Sequence, residues 1–156
     1  MLSNIQTYLA IAEEAAVKAK YLQEQIKKPK PDGSPGFVIN NEVKREAFKQ
    51  NLIAMAFSGI YFEALICITG TMILSTEEYK KIEREKYEQK LHRLGIRDEN
   101  LLTRCKHFRE VRNDLIHEKA IEAHRAKSSD FRMAHIEAAE SILFIKDAAN
   151  ALRKLP

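Results

Sequence analysis

Along the chain, apolar positions recur with the periods of helices and never alternate over a useful length as a strand would. Leu2, Ile5, Leu9, Ala12, Ala16 and Ala19 follow one another at steps of three and four, and Leu22 and Ile26 extend the same side. This spacing predicts a first helix from Leu2 to about Lys27. The next ten residues, "KKPKPDGSPG", hold three prolines and two glycines and predict a loop. Asn40 or Asn41 then caps a second helix that carries a long apolar run to about Leu74, with Gly70 as a point where it can break. "STEE", from Ser75 to Glu78, fits a capping box, and Gly95 is the natural stop for the helix that follows. That third helix, "EEYKKIEREKYEQK" at its heart, reads as a solvated face laced with i,i+4 charge pairs. Asp98 caps a fourth helix whose core stripe is Leu101, Cys105, Phe108, Val111 and Leu115. After the polar break "HRAKSSD", a fifth helix places Phe131, His135, Ala138, Ile142, Ile145, Ala149 and Leu152 on one side. The expectation is one all-α domain over residues 1–156, an antiparallel bundle of about five helices. It divides into an N-terminal helix (1–28), a Pro/Gly loop (29–40) and a helical core (41–156).

The run "LIAMAFSGIYFEALICITGTMIL", Leu52 to Leu74, is 23 residues long and meets the length criterion for a membrane span. Glu63 stands at its midpoint, where an acidic residue costs about 3 kcal/mol on the insertion scale. Ser58, Gly59, Thr69, Gly70 and Thr71 weaken the span further, so the run is expected to be the central helix of a soluble bundle, with no membrane partner. No basic-then-apolar leader opens the sequence, which points to the cytoplasm. Length, 45% hydrophobic and 31% charged content are those of one ordinary folded domain. A formal charge of +4 permits a polyanionic partner without demanding one. Cys67 and Cys105, in apolar surroundings without CxxC spacing, read as buried small hydrophobes in a reduced compartment.

The candidate chemistry lies in "FREVRNDLIHEKA", Phe108 to Ala120. His117 stacks one turn beyond Asn113, while Arg112 and His117, five residues apart, are turned about 140° from each other. One edge of the fourth helix thus reads Lys106, Arg109, Asn113, His117, flanked by Arg112. A guanidinium presents planar donors matched to phosphate oxygens, and an imidazole moves protons near neutral pH. Lys106 and Arg109 form a cationic approach suited to an RNA backbone. Arg and His with neither a carboxylate cluster nor a metal suit internal transesterification of RNA, in which the substrate's 2′-OH is the nucleophile. The same residues also suit an ordinary helix C-terminus, where cations complement the macrodipole. Glu63 is either an acid that orients Arg112 or a carboxylate in a plain salt bridge. His92 and His107 read as solvated and His135 as part of a core stripe. No group of His, Asp and Glu has metal-ligand spacing along the chain, so neither metal nor cofactor is expected.

An all-helical chain with Arg-Asn-x-x-x-His in its penultimate helix, then a polar loop and a final amphipathic helix, resembles the HEPN family. These are the higher eukaryotes and prokaryotes nucleotide-binding domains. The match is to the short form of the family motif, Arg112, Asn113 and His117, and the likeness extends from about Asn41 through Leu155. The resemblance implies a metal-independent RNA endonuclease that leaves 2′,3′-cyclic phosphate and 5′-OH ends, acting as a toxin or antiviral-defence effector. It further implies a homodimer whose two Arg–His sets share one cleft, and an antitoxin or regulatory protein as partner. Arg112 would steady the phosphate, His117 would act as general acid or base, and Asn113 would orient them. Family toxins paired with a nucleotidyltransferase antitoxin carry Tyr two residues after the His, where this chain has Lys119. The alternative is a non-catalytic module of the same family that binds a nucleotide, RNA or protein; a plain helical dimerisation protein is a third.

Overall fold

The computed structural model describes the backbone of residues 2–117 and 128–155, with side chains for 4–115 and 134–155. It is all-α, with six helices and one small hairpin among the described residues: α1 (Leu2–Gln25), β1 (Lys27–Pro29), β2 (Phe37–Ile39), α2 (Asn41–Ile73), α3 (Ser75–Ile82), α4 (Tyr87–Arg93), α5 (Glu99–His117) and α6 (Ser128–Leu152).

The predicted loop folds into the antiparallel hairpin β1–β2, with Lys27 opposite Ile39 and Pro29 opposite Phe37. Asp32 closes its turn by accepting bonds from the Ser34 N–H and hydroxyl, while Gly33 and Gly36 take positive φ. The three residues of β2 are exposed and apolar. Asn40 caps α2 through the N–H groups of Glu42 and Val43.

α2 is the axis of the bundle. α1 runs back along it, as Tyr8 meets Phe57 and Lys18 meets Glu46. α5 also runs antiparallel to it, Phe108 lying on Phe62 and Arg112 over Gly59. α6 runs alongside, with Ser141 on Met55 and Phe144 on Phe62. The core is therefore centred on Phe62, whose ring meets Tyr87, Phe108 and Phe144 edge-on at 5.2–6.0 Å. α2 is long and apolar enough to cross a membrane by composition, yet part of that run is buried inside the chain.

Three sequence expectations change here. The third helix is two helices, because Ile82 and Leu91 are both core residues. Nine residues apart on a continuous helix, they would point about 180° away from each other. A turn at 83–86 lets both face inward, and the Gln89 side chain caps the new start at the Lys86 N–H. Its glutamates pair over longer spans than i,i+4: Glu85 with Arg93, and Glu88 with Arg109 of α5. Gly70 does not break α2; it makes room for the buried Tyr79 ring of α3. Cys67 is exposed rather than buried, since the C-terminal part of α2 is apolar on more sides than the bundle covers, whereas Cys105 is buried.

The caps read from sequence are in place. Ser75 takes φ +69° between α2 and α3, accepting from the Glu78 N–H and donating to its carboxylate. Gly95 ends α4, with the Ile96 N–H on the Leu91 carbonyl. Asp98 accepts from the N–H groups of Asn100 and Leu101. α6 begins at Ser128, inside the expected polar break; residues 118–127, with the rest of that break and Lys119, lie outside the described residues.

Candidate functional site

Arg112 leaves α5 on the side that faces α2 and α4. Its aliphatic stem and Nε lie flat on Gly59, so close that a Cβ there would fall 2.7 Å from both Cδ and Cζ. Only a glycine at this step of α2 leaves the space. At the far end, Nη1 donates to the Tyr87 hydroxyl at 3.3 Å and stands 3.7 Å from Glu63 Oε1. The Tyr87 hydroxyl in turn donates to Glu63 in a very short hydrogen bond. Three elements thus converge: Glu63 and Gly59 from α2, Tyr87 from the first turn of α4, Arg112 from α5.

Tyr87 fastens this group to the core, for its ring stacks on Phe108 and meets Phe62 edge-on. Burial, with the Glu63 carboxylate second, pushes its hydroxyl far above the usual phenol range, against the opposing pull of Arg112. The hydroxyl is therefore a fixed dipole that passes the Glu63 charge towards the guanidinium. Arg112 itself is 19% exposed, whereas Glu63 is half-exposed. A guanidinium has five N–H donors. Among the described residues it makes one hydrogen bond, its Nε is buried without an acceptor, and its carboxylate neighbour stands beyond hydrogen-bond range. The result is a seated cation with donor capacity to spare.

The remaining expected residues are placed differently. Asn113 is half-buried beside Arg112. His117 is the last residue of α5, and its side chain lies outside the described residues. Arg109 is bound bidentately by Glu88, with Nε and Nη2 each 3.1 Å from a carboxylate oxygen, and also touches Glu110. Burial is the largest single influence on Glu88 and opposes its charge, but the bond from Arg109, a backbone hydrogen bond and the charges of Arg109 and Lys86 together outweigh it and hold the carboxyl below its ordinary value. The same bond raises Arg109. Lys106 is exposed on a groove of about 620 Å³ between α4 and α5, which it shares with Glu85, Glu88 and Glu99. The cationic track is thus interrupted: one member is neutralised and the other borders carboxylates.

Gly59 and Tyr87 are the residues that sequence reasoning missed. Gly59 counts there only against a membrane span, and Tyr87 only as one aromatic in a charged helix. His135 is half-buried beside an apolar groove of about 840 Å³ between α1 and α6, and its buried Nδ1 has no hydrogen-bond partner among the described residues. No family model, curated protein or solved structure matches this chain.

Proposed function

We propose that the chain is a metal-independent RNA endonuclease of the HEPN type, working in the cytoplasm as a homodimer. The observation that carries this reading is the seat of Arg112: a cation fixed by Gly59, Tyr87 and Glu63, with unfilled donors, five residues before a histidine. Arg112 takes the non-bridging oxygens of the scissile phosphate and stabilises the charge that grows on the phosphorane. Glu63 and Tyr87 hold it in place, and Asn113 braces the same turn. His117 withdraws the proton from the 2′-OH or delivers one to the leaving 5′-oxygen, and water carries the other proton. The ribose oxygen bonds to phosphorus as the P–O5′ bond breaks, leaving a 2′,3′-cyclic phosphate and a 5′-OH. A toxin or antiviral role, under the control of an antitoxin or regulatory protein, fits such an activity.

One observation favours the alternative, a non-catalytic module that binds a nucleotide, RNA or protein: Arg109 is spent on Glu88, so little of the expected track faces a phosphate backbone. The decisive experiment is incubation of the purified chain with mixed RNA, end-group analysis of the fragments, and the same assay on His117→Ala and Arg112→Ala. His117→Ala is expected to cut 10²–10⁴-fold more slowly while binding RNA nearly as well, since a general acid or base typically contributes about that factor. Arg112→Ala is expected to lose both rate and affinity. EDTA leaves the rate unchanged. Cleavage by His117→Ala at the parental rate overturns catalysis and leaves the binding module.

A further inference from the structure

α5 and α6 share a second polar cluster, on the side of α5 turned away from Arg112. His107 of α5 faces Glu137 and Glu140 of α6, and one ligand-capable atom from each lies within 4.8 Å of the others. His107 Nε2 already meets Glu137 Oε2 at 2.9 Å. The two carboxylates are three residues apart on one helix face, where like charges repel. The Glu137 side chain is only 13% exposed, so its charge is also partly out of water. Among the described residues, no lysine or arginine forms an ion pair with either carboxylate, whose one charge partner is His107 on Glu137. An anionic pair is thus built beside an imidazole and lacks a fixed cation.

We propose that His107, Glu137 and Glu140 bind one divalent transition-metal ion, best fitted by zinc, and that the ion clasps α5 to α6. One imidazole nitrogen with two carboxylate oxygens is a donor set zinc accepts, at about 2.0–2.2 Å per bond with tetrahedral geometry. Such bonds put the ligand atoms roughly 3.4 Å apart, and the exposed His107 and Glu140 side chains close the remaining gap by rotation. Calcium and magnesium fit less well, since they seek about six oxygen ligands and the site offers two with a nitrogen. The fourth position is left to water. Because positions 107 and 112 are turned about 140° apart on α5, the clasp is separate from the Arg112 seat and independent of the proposed nuclease reaction. Its effect is on stability: an ion that binds the folded chain and not the unfolded one raises the melting temperature with concentration.

The test uses the full chain, stripped with chelator and dialysed, then titrated with zinc chloride by calorimetry and thermal melting, with magnesium chloride alongside. One zinc per chain and a zinc-dependent rise in melting temperature are expected, with no comparable response to magnesium. His107→Ala and Glu140→Gln, both at exposed positions, are each expected to bind zinc at least tenfold more weakly and to lose the rise. Cys67→Ser, which removes an exposed thiol that also attracts zinc, is expected to behave as the parent. The proposal is overturned if melting does not respond to zinc, if both His107→Ala and Glu140→Gln bind as the parent does, or if Cys67→Ser alone loses the ion.

Discussion

Gly59 is the residue on which the Arg112 seat depends, because what it contributes is the absence of a side chain. In Gly59→Ala the new methyl overlaps Arg112 Nε and Cδ, atoms of a flexible side chain that yields by swinging outward. The helix itself gains, since Ala is favoured over Gly in a helix interior by about 1 kcal/mol. Gly59→Ala is therefore expected to melt at or above the parental temperature yet to cleave RNA at least tenfold more slowly. Unchanged cleavage would mean that the seat has no bearing on the reaction. Tyr87→Phe keeps the ring among Phe62 and Phe108 and removes only the hydroxyl between Arg112 and Glu63. It is expected to stay folded and lose rate by a smaller factor, with rate and melting temperature measured on the same preparation. At this scale the sequence names Arg112 and Glu63 but not what joins them. Glu63 is conspicuous as a carboxylate in an apolar run, whereas a glycine under an arginine and a tyrosine 25 residues away leave no local mark.

Between elements, the pairings that matter are those that sequence periodicity does not see. Gly70→Ala puts a methyl into the buried Tyr79 ring, which, unlike Arg112, has no solvent to move into. Overpacking of this kind costs about 1–3 kcal/mol, so the variant is expected to melt lower despite its better helix propensity. The Arg109–Glu88 pair fixes α4 to α5, and its loss in Arg109→Ala is expected to cost roughly 1.5–3 kcal/mol, the range for hydrogen bonds to charged groups. The Glu88 carboxyl is held below its ordinary value of 4.5 in the folded chain. Its contribution is therefore complete above that value and disappears as pH falls through the lowered one. Melting curves of parent and Arg109→Ala should differ most near neutrality and converge in acid as the Glu88 carboxyl takes up its proton; a gap that persists undiminished in acid would assign the loss to packing instead. Caps were legible because Asn40, Asp98 and Gly95 act on backbone groups a few residues away. The break at 83–86 was not, because it follows from the need to bury Ile82 and Leu91 against one core, which no local pattern records.

For the whole molecule, the geometry of α5 decides what one chain can do. Arg112 and His117 are about 140° apart around the helix, and Arg112 is already turned inward onto Gly59. One chain does not readily present both groups to one phosphate, so the proposed reaction needs a second copy. A two-fold pair with an isologous interface is the commonest solution among soluble oligomers. Light scattering is expected to give about twice the 18.0 kDa chain mass. The sharper measurement mixes Arg112→Ala chains with His117→Ala chains after unfolding and refolding together. Each homodimer lacks one essential group throughout, but a mixed dimer holds one intact Arg112 and one intact His117 on opposite chains. If the cleft draws on both chains, cleavage reappears in the mixture above the sum of the separate variants, and deoxyribose 5′ to the scissile phosphate abolishes it. A monomer with full activity, or a mixture no more active than its parts despite proven exchange of chains, would remove the shared cleft from the mechanism.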